Sequence, residues 1–78
     1  MTKSLFSPKY SRFRKLLVGA RERAHLTQEQ LAKKLGWQQT DISKVERGVR
    51  RLDVVEFLSF AKAMNVDPVD FLKELEGR

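Results

Sequence analysis

At 78 residues, with 16 Lys and Arg against 10 Asp and Glu and a formal net charge of +6, the chain is small and basic. It has no cysteine and one histidine, His25, which excludes disulfides, thiolate or histidine metal clusters and a His-based acid–base pair, so neither metal nor cofactor is expected. No apolar run approaches the roughly 18 residues of a membrane span, so the expected setting is cytoplasmic with no membrane partner. The length suits one domain, 1–78, that buries only about 60% of its unfolded surface. Charge is unevenly spread: residues 1–51 hold 13 Lys/Arg against 4 Asp/Glu, a net of +9, and residues 52–78 hold 3 against 6, a net of −3. A basic front suits a polyanion, and an acidic tail suits some other task.

The first helix starts at Ser7-Pro8, a cap followed by proline at the first helical position, although Phe6 and Ser11 cannot form a hydrophobic staple across it. Phe13, Leu17, Ala20 and Ala24, widened by Leu16, make one apolar stripe to about Ala24, and Gly19 weakens the helix by about 1 kcal/mol. A capping box of Thr27 and Gln30, with Leu26 and Leu31 as staple, opens a second helix carrying Leu31, Ala32 and Leu35. Gly36 ends it in a left-handed conformation. Only Gly36-Trp37-Gln38 separates it from a third helix, about Gln39 to Arg47, so the two must cross steeply, with Ala32 permitting close approach. Ile42 and Val45 anchor the third helix inward, and Gly48 closes it.

A fourth helix begins at Asp53, with Glu56 completing the box and Leu52 and Phe57 the staple. Its expected core side chains are Val54, Phe57, Leu58, Ala61 and Met64. A short fifth starts at Asp67-Pro68, with Val66 and Phe71 flanking and Leu72 and Leu75 inside, joined by Val69 or Phe71. Nothing alternates with period two. The expected class is all-α, five short helices.

The third helix faces outward with Gln39, Thr40, Asp41, Ser43, Lys44 and Arg47. Such a face suits base edges: Gln pairs bidentately with adenine, Thr offers its methyl to thymine, and Lys donates to guanine. A merely solvated helix face is the plainer alternative.

TQEQLAKKLGWQQTDISKVERG, residues 27–48, resembles the helix-turn-helix of the phage-repressor and Cro family, also called the XRE family. The likeness lies in Gln28, Ala32, Gly36, Ile42 and Val45 at their mutual spacings and in the Glu46-Arg47-Gly48 ending. It extends to Arg21 and to FLSFAKAMNVDPVDFL, covering about residues 13–75. It implies a five-helix lambda-repressor-like fold whose third helix enters the major groove of double-stranded DNA. Gln39, Thr40 and Lys44 match base-reading positions, with Asp41 beside them. Gln28 matches a phosphate contact from a helix N-terminus, and Gln38, Ser43, Arg47, Arg50 and Arg51 stand where the backbone is clamped. Lys9, Arg12, Arg14, Lys33 and Lys34 supply the general positive field. Arg21 and Glu46 match a buried ion pair tying the first helix to the third. Gln38 departs from the usual Ser or Thr cap, leaving that start to lean on a Trp37–Ile42 staple.

One such module reads few bases, so a homodimer on a pseudo-palindromic operator is expected. Val55 sits where a polar residue would suit, and not all of Phe60, Val66, Val69 and Phe71 fit inside so small a core. Val55, Val69 and Phe71 are therefore the candidate dimer contacts, in the acidic last third. The role implied is a transcriptional regulator of repressor or controller type. The alternative is an antitoxin-type module whose last helices bind a protein partner. An enzyme lacks a site: the carboxylates sit at helix starts, where capping accounts for them.

Overall fold

The computed structural model describes residues 7–77 and contains five helices: α1 (Pro8–Arg23), α2 (Gln28–Leu35), α3 (Gln39–Arg47), α4 (Val54–Ala63) and α5 (Pro68–Glu76). There is no strand among the described residues, and Phe6, for which no staple was expected, lies outside them. No described helix is long and apolar enough to cross a membrane.

The helix starts follow the capping chemistry. Ser7 Oγ accepts from the Tyr10 N–H at 3.0 Å. At Thr27 the box is reciprocal: Gln30 N–H donates to Thr27 Oγ1 at 3.0 Å and Thr27 N–H to Gln30 Oε1 at 2.9 Å. Asp53 and Glu56 repeat it at 2.7 and 3.1 Å, and the Asp67 carboxylate accepts from Val69 and Asp70. Each satisfies N–H groups that a helix start leaves open. The ends are equally regular. Gly36 and Gly48 lie at φ +73° and +82°, and His25 and Asn65 take the same left-handed role at +60° and +58° after α1 and α4. The next apolar residue then donates back across the turn, Leu26 to Arg21, Trp37 to Ala32 and Val66 to Ala61.

Leu17, Ala20, Leu31, Ala32, Ile42, Val45, Phe57, Phe60, Met64 and Phe71 form the core, with Phe13, Leu16, Leu26, Leu35 and Trp37 packed on its rim. Phe71 meets Phe57 and Phe13 with ring centroids 5.0 and 5.7 Å apart, tying α5 to α4 and α1. Three expectations are corrected. Phe71 is only 4% exposed and belongs to the chain's own core, which removes it from the candidate dimer contact. In α4 the inward face is Phe57, Phe60, Ala61 and Met64, whereas Val54 and Leu58 are 74% and 48% exposed, and in α5 Leu72, likewise expected inside, is 47% exposed. Glu56, Ser59 and Lys62 of α4 lie off its inward face, and Phe60 within it is stacked edge-on against Trp37 at 5.2 Å.

Candidate nucleic-acid interface

The steep turn between α2 and α3 rests on three groups. Gly36 takes the left-handed conformation, the Trp37 N–H reaches back to the Ala32 carbonyl at 2.9 Å, and Ala32, 3% exposed, leaves room for α3. Ile42 and Val45 are fully buried, which fixes the rotation of α3. Gln39, Thr40, Lys44 and Arg47 are thereby exposed, and Asp41 and Ser43 half-buried. Gln38 stands at the cap position before α3, and its side chain makes no capping bond. The Asp41 carboxylate instead accepts from the Gln38 N–H at 3.3 Å. Asp41 is thus turned back on the helix start, a different task from the base contact expected of it.

Four side chains then connect the back of α1 to the outer face of α3. Arg21 Nε donates to Glu46 Oε2 at 2.7 Å and Nη2 to Oε1 at 3.1 Å, a two-pronged pair with side chains 13% and 7% exposed. Arg21 Nη1 also holds the Leu26 carbonyl at 2.8 Å, just before α2. Gln28 Nε2 donates to Glu46 Oε1 at 2.8 Å, and Gln39 Nε2 donates to Gln28 Oε1 at 2.6 Å. A carboxylate can only accept, so Glu46 compels the Gln28 amide to turn its nitrogen inward and its oxygen outward. That oxygen in turn takes an N–H of Gln39. Gln39 is left with its carbonyl oxygen and a second N–H, the acceptor–donor couple that matches the adenine edge in the major groove. The pair at the back thereby sets the polarity of the group at the front.

The remaining cations divide. Lys44 carries no ion pair among the described residues. Arg47 Nε donates to Ser43 Oγ at 3.2 Å along one face of α3, so these two are presented together. Arg51 is exposed, with its guanidinium 4.5 Å over the Tyr10 ring. Arg50 differs from expectation. It pairs with Glu56 at 2.9 Å and lies 4.3 Å over the Trp37 ring, so it staples the α3–α4 loop to the turn instead of standing free for a phosphate. Lys9, Arg12 and Arg14, expected to supply only diffuse charge, are engaged as well. In the structure Lys9 pairs with Glu76, and Arg12 and Arg14 donate to the carbonyls of Glu74 and Glu46 near the ends of α5 and α3. Partners 32 and 62 residues away leave no local signal in the chain. Among the described residues no group of three His, Asp or Glu is placed to hold a metal ion.

Residues 19–71 match a family model described as Helix-turn-helix. Among solved structures, the chain is similar to an XRE-family like protein from Pseudomonas syringae pv. tomato str. DC3000, at 42% identity over 88% of this chain and 84% of that one, with a TM-score of 0.84. It is also similar to the wild-type restriction-modification controller protein C.Esp1396I, at 30% identity over 91% of this chain and 93% of that one, with a TM-score of 0.82. No curated protein sequence matches it significantly.

Proposed function

Because the chain belongs to the XRE family of helix-turn-helix proteins, we propose that it is a sequence-specific transcriptional regulator of repressor or controller type, reading a pseudo-palindromic double-stranded DNA site as a homodimer. DNA binding and transcriptional regulation follow from the family. The observation that carries the finer reading is the oriented amide of Gln39, held through Gln28 by the Arg21–Glu46 pair beside a free Lys44. In this reading α3 lies in the major groove, with Gln39, Thr40 and Lys44 on base edges. Gln28 approaches a phosphate with its main-chain N–H at the start of α2, and Gln38, Ser43, Arg47 and Arg51 approach others. The similar controller protein favours a regulator of that type. Such a protein works in the cytoplasm, needs no cofactor and catalyses nothing.

The dimer contact is drawn from the far side. Val55 and Val69, 73% and 58% exposed, are joined by Val54, Leu58 and Leu72 on α4 and α5, beside an open groove of about 400 Å³ between α1, α4 and α5. An apolar face of this kind on so small a protein favours a partner surface. Sedimentation of the free protein, and of the protein with a DNA duplex carrying its site, tests the reading. Two chains per site are expected. One chain per site contradicts the homodimer and turns the α4–α5 face over to a different protein, as in an antitoxin.

A further inference from the structure

Glu46 is gripped twice from α1, and only one grip involves its side chain. Arg21 holds the carboxylate, while Arg14, two turns earlier along the same face, donates from Nη1 to the Glu46 main-chain carbonyl at 3.0 Å. That carbonyl belongs to the last turn of α3. In a continuing helix it would accept the N–H of Arg50, but that N–H turns to the Lys44 carbonyl at 3.1 Å, while Gly48 and Val49 donate to Val45 and Lys44. Arg14 thus supplies, from another helix, the bond that the end of α3 leaves unmade. It also sets a positive charge at the negative end of the α3 dipole.

The fit is close. Gly48 is buried, and a Cβ there would stand 2.9 Å from Arg14 Nε, 3.1 Å from Cζ and 3.2 Å from Cδ. Pressed between them, Arg14 Nε is buried with no acceptor. Gly36 makes the contrast plain: its φ is also positive, yet nothing lies within 4 Å of where its Cβ would be. Gly48 answers to a neighbour as well as to its own backbone.

We propose that Arg14 is a positioning residue for DNA reading. With Arg21 it fastens the C-terminal half of α3 to α1 at two points, and this sets the tilt at which Gln39, Thr40 and Lys44 meet the groove. The proposal rests on α3 being the recognition helix. Two measurements test it. In urea unfolding, Gly48→Ala lowers the midpoint in the parent background. In the Arg14→Ala background the drop is about half as large, because the crowding is relieved while the backbone strain stays. Equal drops in both backgrounds overturn the contact.

The second measurement is fluorescence anisotropy at low temperature on a selected site and on an unrelated duplex of equal length, and it needs no Gly48 variant. Arg14→Ala loses about tenfold on the selected site but about twofold or less on the unrelated duplex, with the salt slope unmoved. Arg14→Lys, still able to donate to the Glu46 carbonyl, recovers most of the loss. Equal loss on both duplexes with a slope lower by about one unit would make Arg14 a phosphate contact and overturn the proposal. If the parent prefers no sequence at all, the recognition-helix reading fails first. A parent preference left unmoved by Arg14→Ala sinks the positioning role alone.

Discussion

On the α1–α2–α3 side, Arg21, Glu46, Gln28 and Gln39 are joined in an unbroken series of hydrogen bonds of 2.6 to 3.1 Å. On the α4–α5 side, Val54, Val55, Leu58, Val69 and Leu72 stand 47–74% exposed, with no such series among them. The difference matches the two tasks proposed for the two sides. Reading bases depends on the direction of a few donors and acceptors, which only a satisfied polar network can hold. Association depends mainly on apolar area removed from water, which is not directional. A polar substitution should therefore damage the first side through orientation and the second through stickiness.

The largest effects are expected where each side is tied to the core. Phe71→Ala should cost about 3–5 kcal/mol, since it empties the aromatic contact among α1, α4 and α5. A loss under about 1 kcal/mol in urea unfolding would return Phe71 to the surface. Arg21→Ala should cost a similar amount, about 3–5 kcal/mol, by stranding the Glu46 carboxylate. The same variant releases the carboxylate that orients Gln28 and, through it, Gln39, without removing that acceptor. An Arg21→Ala protein melting within a few degrees of the parent would mean the pair is not holding α1 to α3.

Next in size are the outward side chains of α3. Gln39→Ala and Lys44→Ala should each weaken specific binding by about 1–3 kcal/mol with the melting temperature unchanged, measured by anisotropy and calorimetry side by side. Parent-like affinity in either variant removes that residue from the reading face. The smallest effects sharpen the contrast. Val55→Asp should shift unfolding of the monomer by no more than about 0.5 kcal/mol while lowering self-association in sedimentation. Unchanged association would move the contact elsewhere. Asn65→Gly, at a backbone already left-handed, should alter stability by only about 1 kcal/mol and leave DNA binding alone.

Most of this was legible in the chain because capping chemistry is local. Thr27 with Gln30, Asp53 with Glu56, Gly36 and Gly48 mark helix ends by residue type alone. His25 and Asn65 do the work of Gly36 without being glycine. Their signal lay in context, since His25-Leu26-Thr27, Gly36-Trp37-Gln38 and Asn65-Val66-Asp67 are each a left-handed residue, an apolar one and a cap. The face of α4 was only partly legible: Phe57, Ala61 and Met64 were expected inside and are, but the apolar Val54 and Leu58 were counted with them and Phe60 was not. The tasks of Arg50 and Arg14 were hidden. In a basic chain, Arg50 reads as a phosphate contact and Arg14 as general positive field until Trp37 and Glu56, or Glu46 and Gly48, are seen beneath them.

The central claim is that α3, held by the Arg21–Glu46–Gln28–Gln39 series and doubled by a symmetric partner, reads DNA. Selection of bound sites from a pool of random duplexes by the full chain tests it most directly. The expected result is an inverted repeat with half-site centres about 10–10.5 bp, roughly 34 Å, apart or a multiple of that, with an adenine in each half-site lost on selection with Gln39→Ala. No enriched sequence, or a Gln39→Ala protein that selects the parent's site unchanged, would contradict it.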